Sequence, residues 1–307
     1  MSAPVKDEKT PDFLLLTIAP NESLRRCWDS LVGIDYVKEK LLNHMLLCVN
    51  PQTFFSWHKK FYGSEINTDL TLGLKSKTLL IGPSGTGKTT LARGSADALG
   101  RKLGKEVYFV EIGFTRSRWL GESSKNIVRA FNQVREWSSQ KTVVFFLDEF
   151  DTVASTRVFE QQHEDVRASV NTLIKELDKV NSSDNVYILA SSNLESHIDI
   201  AVKRRFDQII EFKRPPLEER TFLLRKVLGP FREFHLELDC INDKDICLLA
   251  EKAQRYTQAD IKNFVTSAIV KAVFEDKPLT KDHLLSALES VKPTGDYGDG
   301  NFGKRIR

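Results

Sequence analysis

Thr78-Leu79-Leu80-Ile81-Gly82-Pro83-Ser84-Gly85-Thr86-Gly87-Lys88-Thr89-Thr90-Leu91-Ala92 leads a short apolar run through a glycine-rich turn into helix-forming residues. From Gly82 to Thr89 the spacing is GxxxxGK(S/T). With Gly near ~7% of residues, chance yields this pattern in roughly one chain per hundred of this length. Its setting between a strand and a helix is the one the chemistry requires. Glycines let the backbone wrap closely, its N–H groups and the helix N-terminus face an anion, and the helix dipole favours negative charge. The stretch therefore reads as a phosphate-binding loop. Pro83, Ser84, Gly85, Thr86, Gly87, Lys88, Thr89 and Thr90 are the candidate binding residues, with Lys88 on the β- and γ-phosphates and the Thr89 hydroxyl on Mg2+.

A second stretch supports the first. Val143-Val144-Phe145-Phe146-Leu147-Asp148-Glu149 is a buried strand that ends in two carboxylates. Asp148 at the strand end can reach the Mg2+ shell, and Glu149 is placed to polarise an attacking water. Such a pair is a weak signal alone and a strong one after a phosphate loop. Phosphate binding with a metal and a water-activating base implies hydrolysis rather than storage.

Working outward, Thr78 to Ile81, Val107 to Ile112, Val143 to Leu147, Val186 to Ala190 and Ile209 to Phe212 all read as strands. Runs apolar on both faces suit a parallel sheet covered by helices, and the gaps mostly accommodate crossover helices. The expected fold class is α/β, and Pro215-Pro216 marks the end of this part. Beyond it only helices are legible: Leu217 to Val227, Asp243 to Gln254, Gln258 to Glu275 and Lys281 to Val291, with Thr257 and Thr280 as N-caps. Ahead of the sheet, Val37, Leu41, Leu42, Met45 and Leu46 recur at helical spacing, Pro51 ends or bends that helix, and an aromatic segment follows at Phe54, Phe55, Trp57 and Phe61. The expected organisation is a flexible arm or docking strand over 1–27, an α/β domain over 28–214, a small helical domain over 215–292 and a disordered tail over 293–307.

Composition narrows the classes. The 307 residues are 28% charged and 41% hydrophobic, enough for a packed core. Lys+Arg number 45 against 42 for Asp+Glu, a formal net charge of +3 that gives no electrostatic case for nucleic acid or an anionic membrane. The longest apolar run, Val143 to Leu147, is far short of the ~20 residues that span a bilayer. The N-terminus lacks an apolar signal core, and Cys27, Cys48, Cys240 and Cys247 show no CxxC spacing, so a cytoplasmic, reduced protein is expected.

With their neighbours these motifs resemble the AAA+ ATPases, and over roughly Trp28 to Val291 the subgroup that remodels proteins. The resemblance implies a doubly wound, five-stranded P-loop NTPase sheet, a small all-α lid, ATP with Mg2+, and a homo-hexamer. Gly82 to Thr89 and Val143 to Glu149 are then its Walker A and Walker B motifs. Trp28-Asp29-Ser30-Leu31-Val32-Gly33-Ile34 is similar to the segment whose backbone, here near Gly33 and Ile34, contacts the adenine. Ser191-Ser192-Asn193 resembles sensor 1, with Asn193 orienting the lytic water. Ile198 to Asp207 resembles the arginine-finger segment, Arg205 matching best and Arg204 second. A finger supplied to a neighbouring copy is worth ~10³–10⁵ in rate, or about 4–7 kcal/mol of barrier. The two arginines are adjacent here, whereas the family spreads them over Arg-Pro-Gly-Arg. Ala259, in Thr257-Gln258-Ala259-Asp260-Ile261, stands where some clades carry a sensor 2 arginine.

Arg116-Ser117-Arg118-Trp119-Leu120-Gly121-Glu122-Ser123 resembles the first pore loop of protein-remodelling rings, in which Trp119 and Leu120 would grip an extended polypeptide. Ser155 to Asp165 is expected to form a second pore-facing loop. The sensor and finger region is similar to that of the pachytene-checkpoint type, which unlocks HORMA-domain proteins and has minimal versions in bacterial antiphage operons. The expected partner is thus a HORMA-domain protein. Residues 1–27 are too short for a recognition domain, so selection is expected to rest on the pore, the arm or an adaptor. The alternatives are a filament- or complex-disassembling enzyme and a nucleic-acid-associated loader. The second would need a basic stripe that the composition does not supply.

Overall fold

The computed structural model describes residues 11–63, 75–113, 123–151, 164–181, 184–193, 198–232 and 241–295. They divide into two units, one of Met1–Gly82 and Lys88–Glu211, the other of Pro83–Gly87 and Phe212–Arg307.

In chain order the first unit holds β1 (Leu14–Ala19), α1 (Glu22–Ser30), α2 (Asp35–Val49), α3 (Gln52–Tyr62), β2 (Lys77–Ile81), α4 (Lys88–Leu103) and β3 (Val107–Gly113). It continues with α5 (Ser123–Ser138), β4 (Thr142–Asp148), α6 (Glu164–Lys179), β5 (Val186–Ser192), α7 (Ile200–Lys203) and β6 (Gln208–Glu211). The strands form one six-stranded sheet in the order β1-β3-β4-β5-β2-β6. The five strands expected from the sequence are all present and mutually parallel. The sixth is the departure: Leu14–Ala19, read as part of an arm, pairs antiparallel with β3, Leu14 opposite Ile112 and Ala19 opposite Val107. α1 follows this strand directly.

The burial pattern explains why the inner strands were legible. In β2 and β5 every residue is buried, as are all but the last of β4, because helices cover both faces. Successive side chains point to opposite layers. Phe145 meets Phe131 of α5 edge-on at 5.2 Å between ring centroids, while Phe146 stacks with Phe109 at 6.1 Å. One layer gathers Ile127, Phe131 and Val134 of α5 with Val170, Leu173 and Leu177 of α6. The other holds α4, with α1 and α2 against it. Gly94 of α4 permits that contact: a Cβ there would lie 2.6 Å from the backbone nitrogen of Trp28. Asn21 caps α1 by accepting from Leu24 N–H, and its own N–H donates to the buried Asp97 of α4 at 3.0 Å.

In the second unit lie α8 (Leu217–Arg232), α9 (Asp243–Lys252), α10 (Gln258–Phe274) and α11 (Lys281–Ser290). Thr257 and Thr280 cap α10 and α11 as expected, each in a reciprocal box with Asp260 and His283. Among the described residues no helix is long and apolar enough to cross a membrane, and Cys27, Cys48 and Cys247 are free thiols.

Candidate active site

β4, β5 and β2 are neighbours in the sheet and run the same way, so their carboxyl ends open on one crevice, where α/β proteins place ligands. Each end contributes a polar side chain. Lys88, the first residue of α4, is buried and donates to Gly82 O at 2.7 Å and to Asn193 Oδ1 at 2.8 Å. The ammonium thus joins the end of β2 to the residue that follows β5. Burial pushes Lys88 down to about 8, against the opposing pull of Asp148 and Asp151.

Thr89 lies one residue further on, its hydroxyl 3.3 Å from Asp148 Oδ2 and 3.4 Å from Oδ1. Ser191 Oγ donates to Asp148 Oδ1 in a short hydrogen bond, and the Glu149 N–H donates to the same oxygen at 3.0 Å. A hydroxyl and a well-anchored carboxylate are hard oxygen donors, the set that Mg2+ takes together with phosphate oxygens and water. Thr89 and Asp148 therefore fit the metal expected of them. When bound, it would screen the charge of a polyphosphate. Glu149 follows with φ 52°, in the left-handed region that non-glycine residues rarely enter. That turn lets β4 stop abruptly with an exposed carboxylate at its tip. Asn193 is fixed through its backbone, which donates to Asp151 Oδ1 at 3.3 Å.

Pro83–Gly87 groups with the C-terminal helices. Thr86 Oγ1 donates to Pro83 O at 2.8 Å, closing the loop on itself. Gly85 has φ +77°, and a Cβ on it would lie 2.7 Å from Thr257 Oγ1 and 2.9 Å from Ala259 Cβ. The Ala259 N–H donates to Gly85 O at 3.1 Å. Ala259 thus meets the loop through a backbone amide and close packing.

Other expected residues fall elsewhere. Gly33, with φ 75°, and Ile34 lie between α1 and α2, where Ile34 O accepts from Lys38 N–H and opens α2. Arg205 is engaged within its own unit. Its guanidinium forms a bidentate pair with Asp178 of α6 at 3.0 and 3.1 Å and donates to Ala201 O at 2.9 Å. Arg204, beside it, is exposed. Neither arginine is bonded to the Lys88, Asn193 and Asp148 group. Trp119 and Leu120 lie outside the described residues, as does most of the segment from Ser155 to Asp165.

Sequence reasoning missed Ser191, Asp151 and Asp178 as partners. For Ser191 a signal existed: with Leu147 opposite Ala190, the parallel register puts Ser191 next to Asp148. Asp178 lies 27 residues from Arg205 and carries no local signature.

A parallel sheet with a phosphate loop after β2 and carboxylates after β4 defines a P-loop NTPase. Residues 78–214 match the ATPase family associated with various cellular activities (AAA). It is similar to CD-NTase-associated protein 6 of Escherichia coli (strain MS 115-1), 27% identical over 306 residues covering 94% of each chain. It is also similar to cell division protein C of Sulfolobus acidocaldarius, 30% identical over 260 residues, which are 81% of this chain and 61% of that protein. The chain thus spans about three fifths of the archaeal relative's length. A chain of the E. coli MS115-1 HORMA:CdnC:Trip13 complex superposes with a TM-score of 0.79 at 25% identity, over 91% of this chain and 95% of that one.

Proposed function

We propose that this chain hydrolyses ATP as a hexameric ring and uses the energy to pull on a protein segment, opening a HORMA-domain protein in the cytoplasm. In this reading 28–214 is the ATPase domain and 215–292 its lid. The observation that carries hydrolysis is the meeting of Lys88, Asn193, Thr89 and Asp148 beside Glu149 at the ends of three adjacent parallel strands. Lys88 and Pro83 to Thr90 bind the phosphates, and the backbone at Gly33 and Ile34 faces the adenine. Glu149 accepts a proton from the attacking water that Asn193 orients. Arg205, with Arg204, neutralises charge developing on a neighbouring copy's γ-phosphate. Arg205 pairs with Asp178 rather than with its own Lys88 group and would have to leave that pair to reach a neighbouring copy.

Support for the substrate class comes from CD-NTase-associated protein 6 and the HORMA:CdnC:Trip13 complex, the likeness to each extending over nearly the whole chain. The decisive experiment uses Glu149→Gln. It should bind ATP, lose phosphate release by roughly 10²–10⁴-fold, and retain a purified HORMA-domain protein only when ATP is present. Turnover unaffected by Glu149→Gln would remove the hydrolytic reading. Hydrolysis lost without any HORMA retention would remove only the substrate.

A further inference from the structure

Arg204 and Arg205 are followed by residues that a polar chain, buried at Tyr187 and Thr78 and partly buried at His44, ties to the centre of the sheet, and no part of the phosphate chemistry uses it. His44 of α2 contacts Asp207 Oδ2 through Nε2 at 2.9 Å and the Tyr187 hydroxyl through Nδ1 at 2.5 Å. The Tyr187 hydroxyl, fully buried on β5, meets Thr78 Oγ1 at 2.6 Å, and Thr78 Oγ1 reaches Gln208 Oε1 at 3.1 Å. The chain therefore ends on two consecutive residues, Asp207 and Gln208.

With the Gln208 amide oxygen facing Thr78, a doubly protonated His44 ring satisfies every link. With both ring nitrogens protonated, His44 donates to Asp207 and to Tyr187, Tyr187 donates to Thr78, and Thr78 donates to Gln208. A neutral ring that keeps its proton on Nε2 would accept from the Tyr187 hydroxyl at Nδ1 and turn Thr78 back toward Tyr187, which requires the Gln208 amide to present its NH2 group to Thr78. The charged form is favoured: burial opposes it, but the hydrogen bond to Asp207, with a smaller contribution from Cys48, pushes His44 up to about 9. On the other side Asp207 accepts from the backbone N–H groups of Lys75 and Lys77, both at 3.2 Å. The arginine pair thus projects from a short turn with fixed ends. Asp199 caps α7 before it, Phe206 packs edge-on against Phe150 at 5.6 Å, and His44–Asp207 closes it behind.

We propose that His44 is a positioning residue for the arginine pair, holding through Asp207 the backbone from which Arg204 and Arg205 reach a neighbouring copy's nucleotide. This rests on the reading of those arginines as acting between copies. A fault in their placement should lower turnover while leaving the variant's own nucleotide pocket intact.

The two ring nitrogens can be separated by substitution. His44→Gln keeps a donor near the Nε2 position facing Asp207, whereas His44→Asn keeps only the position facing Tyr187. His44→Asn should lower kcat by roughly 10- to 100-fold, the scale of a misplaced catalytic group, with ATP binding unchanged. His44→Gln should retain most of the rate. Full-length His44→Asn is then mixed with Lys88→Ala, whose pocket is defective but whose arginines are intact. Turnover should recover in the mixture, because Lys88→Ala copies supply arginines to sound pockets. Arg205→Ala mixed with Lys88→Ala is the reference. If that reference fails to recover, the arginines do not act between copies and the underlying reading falls. If the reference recovers and the His44→Asn mixture does not, or if His44→Asn turns over normally, or if His44→Gln is as impaired as His44→Asn, the positioning role falls. Should His44→Asn fail to fold, Asp207→Asn, which presents an amide in place of the carboxylate, takes its place in the same mixture and is judged by the same outcomes.

Discussion

Lys88 shows how one residue is held under tension by its surroundings. Its ammonium sits at the amino end of a helix, and burial pushes it down to about 8. A polyphosphate would bring negative charge to it and raise that value, so binding takes up a proton wherever free Lys88 is already deprotonated. ATP affinity is therefore expected to be flat up to about pH 8 and to fall as pH rises further. Titration with a fluorescent nucleotide between pH 7 and 10 checks this, and Lys88→Arg should flatten the upper limb, since a guanidinium stays charged throughout. At this scale the sequence was most legible where partners are neighbours in the chain. Gly82 to Thr90 could be read because phosphate binding is encoded in a fixed local spacing. The bonds from Lys88 to Asn193 and from Ser191 to Asp148 span 105 and 43 residues, so only the fold reveals them.

Among the elements, α1 and α4 make a close contact, and a single glycine governs it. A methyl at Gly94 would lie 2.6 and 2.8 Å from backbone atoms of Trp28, which cannot rotate away. Gly94→Ala is expected to cost about 1–3 kcal/mol through overpacking, read as a lower denaturation midpoint at unchanged slope. Thr280→Ala should cost about 1 kcal/mol by removing the α11 cap, measured in the same way. The central strands were legible because burial on both faces leaves a continuous apolar run. β1 was harder. Its Leu15 is 49% exposed between the buried Leu14 and Leu16, so an apolar run conceals the alternation of an edge strand. α3 was legible only as an aromatic stretch, since it fully buries no side chain. In α1 only Leu24 is buried, which leaves Asn21 as its main local signal.

For the molecule as a whole, the proposal makes each pocket depend on a second copy. Phosphate release per chain should then rise steeply with protein concentration before reaching a plateau. Arg205→Ala should hold it down at every concentration by roughly 10³-fold or more. A rate per chain independent of concentration, together with a monomeric mass by light scattering, would contradict the shared pocket. Trp119→Ala should keep much of the ATPase rate and lose remodelling, read by loss of the substrate's folded state. Remodelling at the wild-type rate would exclude a gripping role for that indole. The arrangement of β3 has a mechanical corollary. This strand leads straight into residues 114–122 and is hydrogen-bonded on both sides, to β1 over Leu14–Ala19 and to β4 over Thr142–Asp148. Tension arriving past Gly113 would run along the strand axis and stress both ladders in shear. Their bonds would share the force together instead of unzipping one at a time, making the amino-terminal strand a brace for β3.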